Sequence, residues 1–195
     1  MLFARWFEKI EATLKADHQG WGLTGRYENK TGKLASHSAM IAEGLSQDGF
    51  SMIPGRNYAN INLPRCIPDG HLTHPDLPNT SLWYELKSVF IPHYESVQDW
   101  HNDDYSRLLR IGHPNGAIGD VDRLRRVPND ERVFLLLALS WCPEEDIAAL
   151  GEFQRHREVL IDAFRSLARL PVPTAEFSVT GTEKPWSCRA MAWRF

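Results

Sequence analysis

The sequence predicts an α/β fold, a mixed central sheet flanked by helices, and three stretches carry that expectation. Residues 81–90 are bulky, aromatic and β-branched, as a strand requires. Residues 116–127 then place Ala117, Ile118, Val121 and Leu124 on one helical face. Residues 132–141 are almost continuously apolar, the pattern of a strand buried on both faces in a parallel arrangement. Strand, helix and buried strand make one crossover unit, expected to be right-handed.

The remaining elements add to that unit in order. Phe3, Trp6, Phe7, Ile10 and Leu14 fall at helical spacing, which predicts an amphipathic helix over 2–16. Gly20, Gly22, Gly25 and the run Lys30-Thr31-Gly32-Lys33 follow as a loop that lacks the GxxxxGK[ST] phosphate-binding pattern. A second helix is expected over 34–47, with Leu34, Ser38, Ile41 and Leu45 on one face and Gly49 ending it. Strands are expected near 50–54 and 58–63, ahead of a hairpin whose second arm is 81–90. A polar region of about 25 residues beyond Pro92 has the length of a functional loop or a loop holding further helix. Pro143 and the acids after it open another helix, whose face of Phe153, Leu160, Phe164 and Leu167 is out of phase with Ile147 and predicts a kink or break near Gly151. Pro171 and Pro173 stop that helix, and 175–180 with 187–195 form a terminal hairpin. Residues 1–195 are expected to be one domain, since no repeat, low-complexity tract or linker divides them.

Composition narrows the function classes. A net charge of −3 and a pI near 6.2 give no overall basic signature for nucleic acid, although local patches count for more than the total. Cys66, Cys142 and Cys188 are odd in number and widely spaced, which suits reduced thiols rather than a disulfide framework or a zinc site. The first nine residues carry charges and no cleavable apolar core, and no apolar run approaches the ~18 residues of a membrane span. A cytoplasmic protein with no membrane partner is expected. No nucleophile elbow or Cys–His signature is visible.

The chemistry concentrates in 65–90. Glu85 and Lys87 interrupt an apolar strand two residues apart and so point to the same side of it, while Tyr84 and Leu86 point to the other. Burying two charges there costs several kcal/mol each even after partial pairing, and a metal-dependent active site is one candidate for what compensates it. The most turn-like hexapeptide nearby is Pro75-Asp-Leu-Pro-Asn-Thr80, and a turn centred there sets Asp69 opposite Glu85. Asp76 is the rival acid, but pairing it with Glu85 would force Leu77-Pro78-Asn79 into strand. Two converging carboxylates suit Mg²⁺ or Mn²⁺, which keep waters and accept phosphate oxygens, and a lysine beside them orients a water or offsets charge on a phosphate. The competing account is a buried Glu85–Lys87 or Asp69–Lys87 ion pair with no catalysis. His71 and His74 have HxxH spacing without further ligands in register, so a structural role is expected for both. Trp83, Trp100, Trp141, Trp186 and Trp193 are read as core or interface packing, with base stacking the lesser alternative for those in loops, Trp100 above all.

Pro68-Asp69, fifteen intervening residues and Glu85-Leu86-Lys87 resemble the PD-(D/E)xK motif of restriction-endonuclease-like nucleases. The order helix, three strands, helix, strand over about 34–141 is similar to the αβββαβ core of that superfamily. The resemblance implies a restriction-endonuclease-like fold with an N-terminal helix and a C-terminal helix and hairpin added. It further implies Mg²⁺ (or Mn²⁺) held by Asp69 and Glu85, with Lys87 positioning or activating water. The implied activity is a metal-dependent endonuclease, a hydrolase of phosphodiester bonds in nucleic acid, DNA before RNA; a homodimer would serve duplex cleavage. The alternative is a catalytically inactive domain of that fold acting in binding or assembly. Many relatives carry an acid on the helix before the hairpin; here Glu43 lies about 180° from the apolar stripe and is expected in solvent. On the later helix Arg123, Arg125 and Arg126 are the substrate-facing candidates or plain solvated surface.

Overall fold

The computed structural model describes residues 1–16, 27–28, 34–35, 37–53, 68–91, 116–128, 130–140, 147–180 and 187–195. Their elements, in chain order, are α1 (Leu2–Ala16), β1 (Tyr27–Glu28), β2 (Leu34–Ala35), α2 (His37–Gln47), β3 (Ser51–Met52), β4 (Gly70–Thr73), β5 (Ser81–Ile91), α3 (Ala117–Arg126), β6 (Glu131–Ser140), α4 (Ile147–Ala168), β7 (Ala175–Thr180) and β8 (Ser187–Arg194). Six strands form a mixed sheet in the order β3-β4-β5-β6-β8-β7. Only β5 and β6 run parallel, joined through α3, and every other neighbouring pair in that sheet is antiparallel.

Each face of the sheet has its own apolar layer. Leu72, Leu82, Tyr84, Leu86, Val133, Leu135 and Leu137 pack on α1 and α2, with Trp6, Ile10, Ile41 and Leu45 on the helix side. Trp83, Val89, Phe134, Leu136, Met191 and Trp193 pack on α3 and α4, with Val121, Leu124, Leu160 and Phe164 on the helix side. Strand β6 sits between both layers, and Val133 through Leu137 have no solvent exposure. That agrees with its unbroken apolar sequence. The Glu131 carboxylate at the start of β6 accepts the Leu2 and Phe3 amides at 3.2 and 3.0 Å. It thus satisfies two of the donors that the first turn of α1 leaves open.

Several boundaries differ from the sequence expectation. The helix expected from residue 34 starts at His37, because Leu34 and Ala35 pair with Glu28 and Tyr27 in a two-residue antiparallel ladder. It ends in a Schellman motif: Gly49 has φ +87°, its amide bonds to the Ser46 carbonyl, and the Phe50 amide bonds to the Leu45 carbonyl. The helix is not broken near Gly151; one helix, α4, runs from Ile147 to Ala168. Its buried positions include Leu160, Ile161, Phe164 and Ala168, and Leu167 is 41% exposed because Ala168 takes the position facing the sheet. The terminal hairpin pairs as expected, from Ala175↔Ala192 to Thr180↔Ser187. The expected strand at 58–63, the polar region after Pro92 with Trp100, the helix start at Pro143, and Cys66 and Cys142 lie outside the described residues.

Candidate active site

The site begins with the β4–β5 hairpin. Its register pairs Gly70↔Tyr84, His71↔Trp83, Leu72↔Leu82 and Thr73↔Ser81. Continued one residue beyond this ladder, the register would set Asp69 against Glu85, and the ladder itself is the one a turn at 75–80 predicts. The neighbour that makes this approach possible is Gly70. A Cβ at that position would lie 2.0 Å from Tyr84 Cε1, so the ring occupies the space that any side chain would need. Asp69 itself is exposed, and its Oδ2 accepts the Leu86 N–H at 2.7 Å. The carboxylate is thereby tied to the peptide that separates Glu85 from Lys87.

Alternation then sorts β5. Leu82, Tyr84 and Leu86 enter the layer under α1 and α2, whereas Trp83 enters the α3–α4 layer, and Glu85 and Lys87 share its side by parity. The Tyr84 hydroxyl is held neutral well above its ordinary range, first by burial and then by the negative Asp69 and Glu85. On the other side α3, the crossover helix, brings two charged side chains down onto the strand. Lys87 Nζ is 2.6 Å from Asp120 Oδ2. Asp120 also forms an ion pair with Arg123, and Arg123 Nε is 3.8 Å from Glu85 Oε1. The result is a chain of alternating sign, Lys87–Asp120–Arg123–Glu85, with Asp69 beside it. Glu85 is 3% exposed and Asp120 is fully buried. Burial raises the Asp120 carboxyl above the ordinary carboxylate range, and Lys87 and Arg123 draw it part of the way back.

The three residues expected to form the site are therefore gathered on β5 and its hairpin partner, but the pairing differs from the simple ion pair considered as the alternative. Lys87 closes on Asp120, and Glu85 closes on Arg123. Asp120 was invisible as a site residue, although it sits in phase with Ala117, Val121 and Leu124; an acid within an apolar stripe was the available signal. Of the three arginines on α3, Arg123 turns inward. Arg125 instead donates to the Ala168 and Arg169 carbonyls at the end of α4, and Arg126 is exposed. Glu43 is not fully solvated as expected: it is half-buried in a crevice of about 290 Å³ between α1 and α2, with Lys9, Thr13 and Gln47. Its helix packs on the sheet face opposite Glu85 and Lys87.

Both histidines are held by their own surroundings. His74 Nε2 donates to the Asp48 carbonyl at 3.0 Å and Nδ1 accepts the Asp76 amide at 3.1 Å. His71 stacks on Trp83 at 4.1 Å between ring centroids, and Trp83 donates to Asp130. Among the described residues, no group of three or more His, Cys, Asp or Glu is arranged to hold a metal ion. Mg²⁺ is commonly held by only one or two carboxylates, with water and substrate phosphate completing its shell. The Asp69–Glu85 pair is chemically sufficient for that mode, and the Asp69 oxygen Oδ1 makes no hydrogen bond among the described residues.

The fold and site thus define a mixed α/β protein with a charged cluster between the parallel strand pair and its crossover helix. No family model, no curated protein and no solved structure matches the chain. Among the described residues, no helix is long and apolar enough to cross a membrane.

Proposed function

We propose that the protein is a Mg²⁺- or Mn²⁺-dependent nuclease of restriction-endonuclease-like architecture, acting on DNA before RNA. The observation that carries the reading is the β4–β5 register, which continued one residue past Gly70↔Tyr84 sets Asp69 against Glu85, with Lys87 two residues on in the middle of β5 and the Asp69 carboxylate bonded to the Leu86 amide between them. The order α2-β3-β4-β5-α3-β6, with an antiparallel β3-β4-β5 meander and a parallel β5–β6 pair, supports it. Asp69 and Glu85 would hold the cation. When bound, that ion supplies Lewis-acid polarisation of a phosphate oxygen and a lowered pKa for water. Lys87, held 2.6 Å from Asp120, would donate hydrogen bonds that orient the attacking water and offset charge on the phosphoryl oxygens. Water oxygen forms the new bond to phosphorus as the bond to the leaving oxygen breaks, and the water's proton ends in the products. A second copy of the chain would be needed to cut both strands of a duplex at once.

The test is cleavage of plasmid, linear duplex, single-stranded DNA and RNA by purified protein with Mg²⁺ or Mn²⁺. Cleavage is expected, and Lys87→Ala or Asp69→Asn should reduce it by about 10²–10³-fold. Protein that cuts none of these substrates refutes the reading.

A second reading, a binding or assembly protein that keeps the fold without the chemistry, is favoured by one observation. Lys87 and Glu85 are each already engaged inside the protein, by Asp120 at 2.6 Å and by Arg123. Calorimetric titration with Mn²⁺ separates the two: binding that disappears in Asp69→Asn belongs to the nuclease, and no binding belongs to the assembly protein.

A further inference from the structure

Asp120 is difficult to account for as core. It is fully buried in the first turn of α3, among Ala117, Ile118, Val121 and Leu124, where an apolar residue would pack without desolvation cost. Buried ion pairs are weak sources of stability compared with apolar residues of similar volume, so its presence is not explained by stability alone. Its geometry is specific: one oxygen lies 2.6 Å from Lys87 Nζ, and the carboxylate is also paired with Arg123 one turn along the same helix. Lysine is a flexible stem carrying a point charge, and without a fixed partner its ammonium would be spread over many rotamers. Here the Lys87 side chain is 23% exposed, so solvent reaches it although Asp120 is fully buried.

We infer that Asp120 is a positioning residue of the hydrolytic site, fixing the Lys87 ammonium beside the Asp69–Glu85 pair while Arg123 fixes Asp120 in turn. This rests on the nuclease reading and adds to it the acid that α2 does not deliver: the crossover helix after the lysine strand supplies one instead. Asp120 acts through Lys87 and is not a ligand of the cation. Placing a charge in advance lowers the reorganisation needed when the phosphoryl group takes on charge, so the effect belongs to turnover and not to binding.

The experiment measures hydrolysis of bis(p-nitrophenyl) phosphate and of plasmid DNA with Mn²⁺, together with Mn²⁺ calorimetry, for wild type, Asp120→Asn, Asp120→Ala and Val121→Ala. The last removes buried atoms from the same turn of α3 without touching Lys87. Both Asp120 variants should lose about 10–100-fold in kcat, the scale of partners that orient catalytic ligands, with KM and Mn²⁺ affinity within about threefold of wild type. Val121→Ala should retain most of its kcat. Four results overturn the inference: undiminished kcat in Asp120→Asn; lost Mn²⁺ binding, which would make Asp120 a ligand; an equal loss of kcat in Val121→Ala; or unfolding of both Asp120 variants while Val121→Ala folds. Wild type that neither hydrolyses a diester nor binds Mn²⁺ removes the nuclease reading itself, which is a distinct outcome.

Discussion

The two faces of the sheet divide the labour of the molecule. Against α1 and α2 the contacts are apolar and largely aromatic: Trp6 lies 5.4 Å from Tyr84 and Phe7 lies 4.9 Å from Phe177 between ring centroids. Neither of the buried carboxylates found among the described residues, Glu85 and Asp120, is on that side. The face under α3 and α4 is itself split. Toward β6 and β8 it is dry, with Phe134, Phe164 and Trp193 in mutual contact at 5.3–5.8 Å. Toward β5 it holds the Lys87–Asp120–Arg123–Glu85 chain. One strand, β5, supplies both kinds of surface through simple alternation. The lesson is that a charged cluster is tolerated where the other side of the same strand is fully dry, and where each charge has a partner of opposite sign.

The largest expected effect tests the dry face. Trp6→Ala removes a fully buried indole from contact with Tyr84 and should cost about 3–5 kcal/mol in urea unfolding. In a chain of this size that corresponds to a fall in Tm of roughly 2–4 °C per kcal/mol. No second substitution on the polar face should restore it. A loss below about 1 kcal/mol would mean that the α1–α2 layer is not the principal source of stability.

The polar face should behave differently, because its energy lies in compensation and not in burial. Lys87→Met leaves Asp120 buried with only Arg123 to offset it, and should cost about 3 kcal/mol, the scale of breaking a buried pair from one side. Combining it with Asp120→Leu removes the stranded charge and should recover most of that loss. A double-mutant cycle in urea reads the coupling directly, and strict additivity of the two changes would show that Lys87 and Asp120 do not depend on each other.

How far such a contrast can be seen in the amino-acid order depends on how local its cause is. The β4–β5 register was legible because parity and a Pro- and Asn-rich turn determine a hairpin register together. The β7–β8 hairpin and the doubly buried β6 were legible for the same reason, from periodicity alone. Asp120 was not, since nothing within its helix says that the lysine of the preceding strand will sit beneath it; only the crossover does. The three arginines of α3 look alike in sequence, yet one enters the cluster, one caps α4 and one is exposed. The start of α2 was misplaced because the two-residue β1–β2 ladder takes up Leu34 and Ala35. Stripe-based reasoning also put Leu167 inside, where the helix phase instead presents Ala168.

The smallest effect compares two aspartates whose carboxyls move in opposite directions. Asp120 is raised, burial being the leading cause, so between the ordinary aspartate value of 3.8 and its folded value the native state binds more proton than the unfolded chain. Its contribution is therefore fully present below 3.8 and is lost as pH rises through the folded value. Asp76 is lowered, by its hydrogen bond from Arg5 on the exposed turn of the β4–β5 hairpin. Its contribution is present above 3.8 and is lost as pH falls through its folded value. Wild type should then gain stability relative to Asp120→Asn as pH falls from 7 toward 4, with a slope no steeper than about 1.4 kcal/mol per pH unit for a single proton. Relative to Asp76→Asn, wild type should hold its advantage down to about pH 4 and lose it only below. Urea midpoints measured across that range check both signs. Parallel slopes for the two variants would mean that Asp120 is solvated like a surface acid, and the distinction between the faces at β5 would no longer hold.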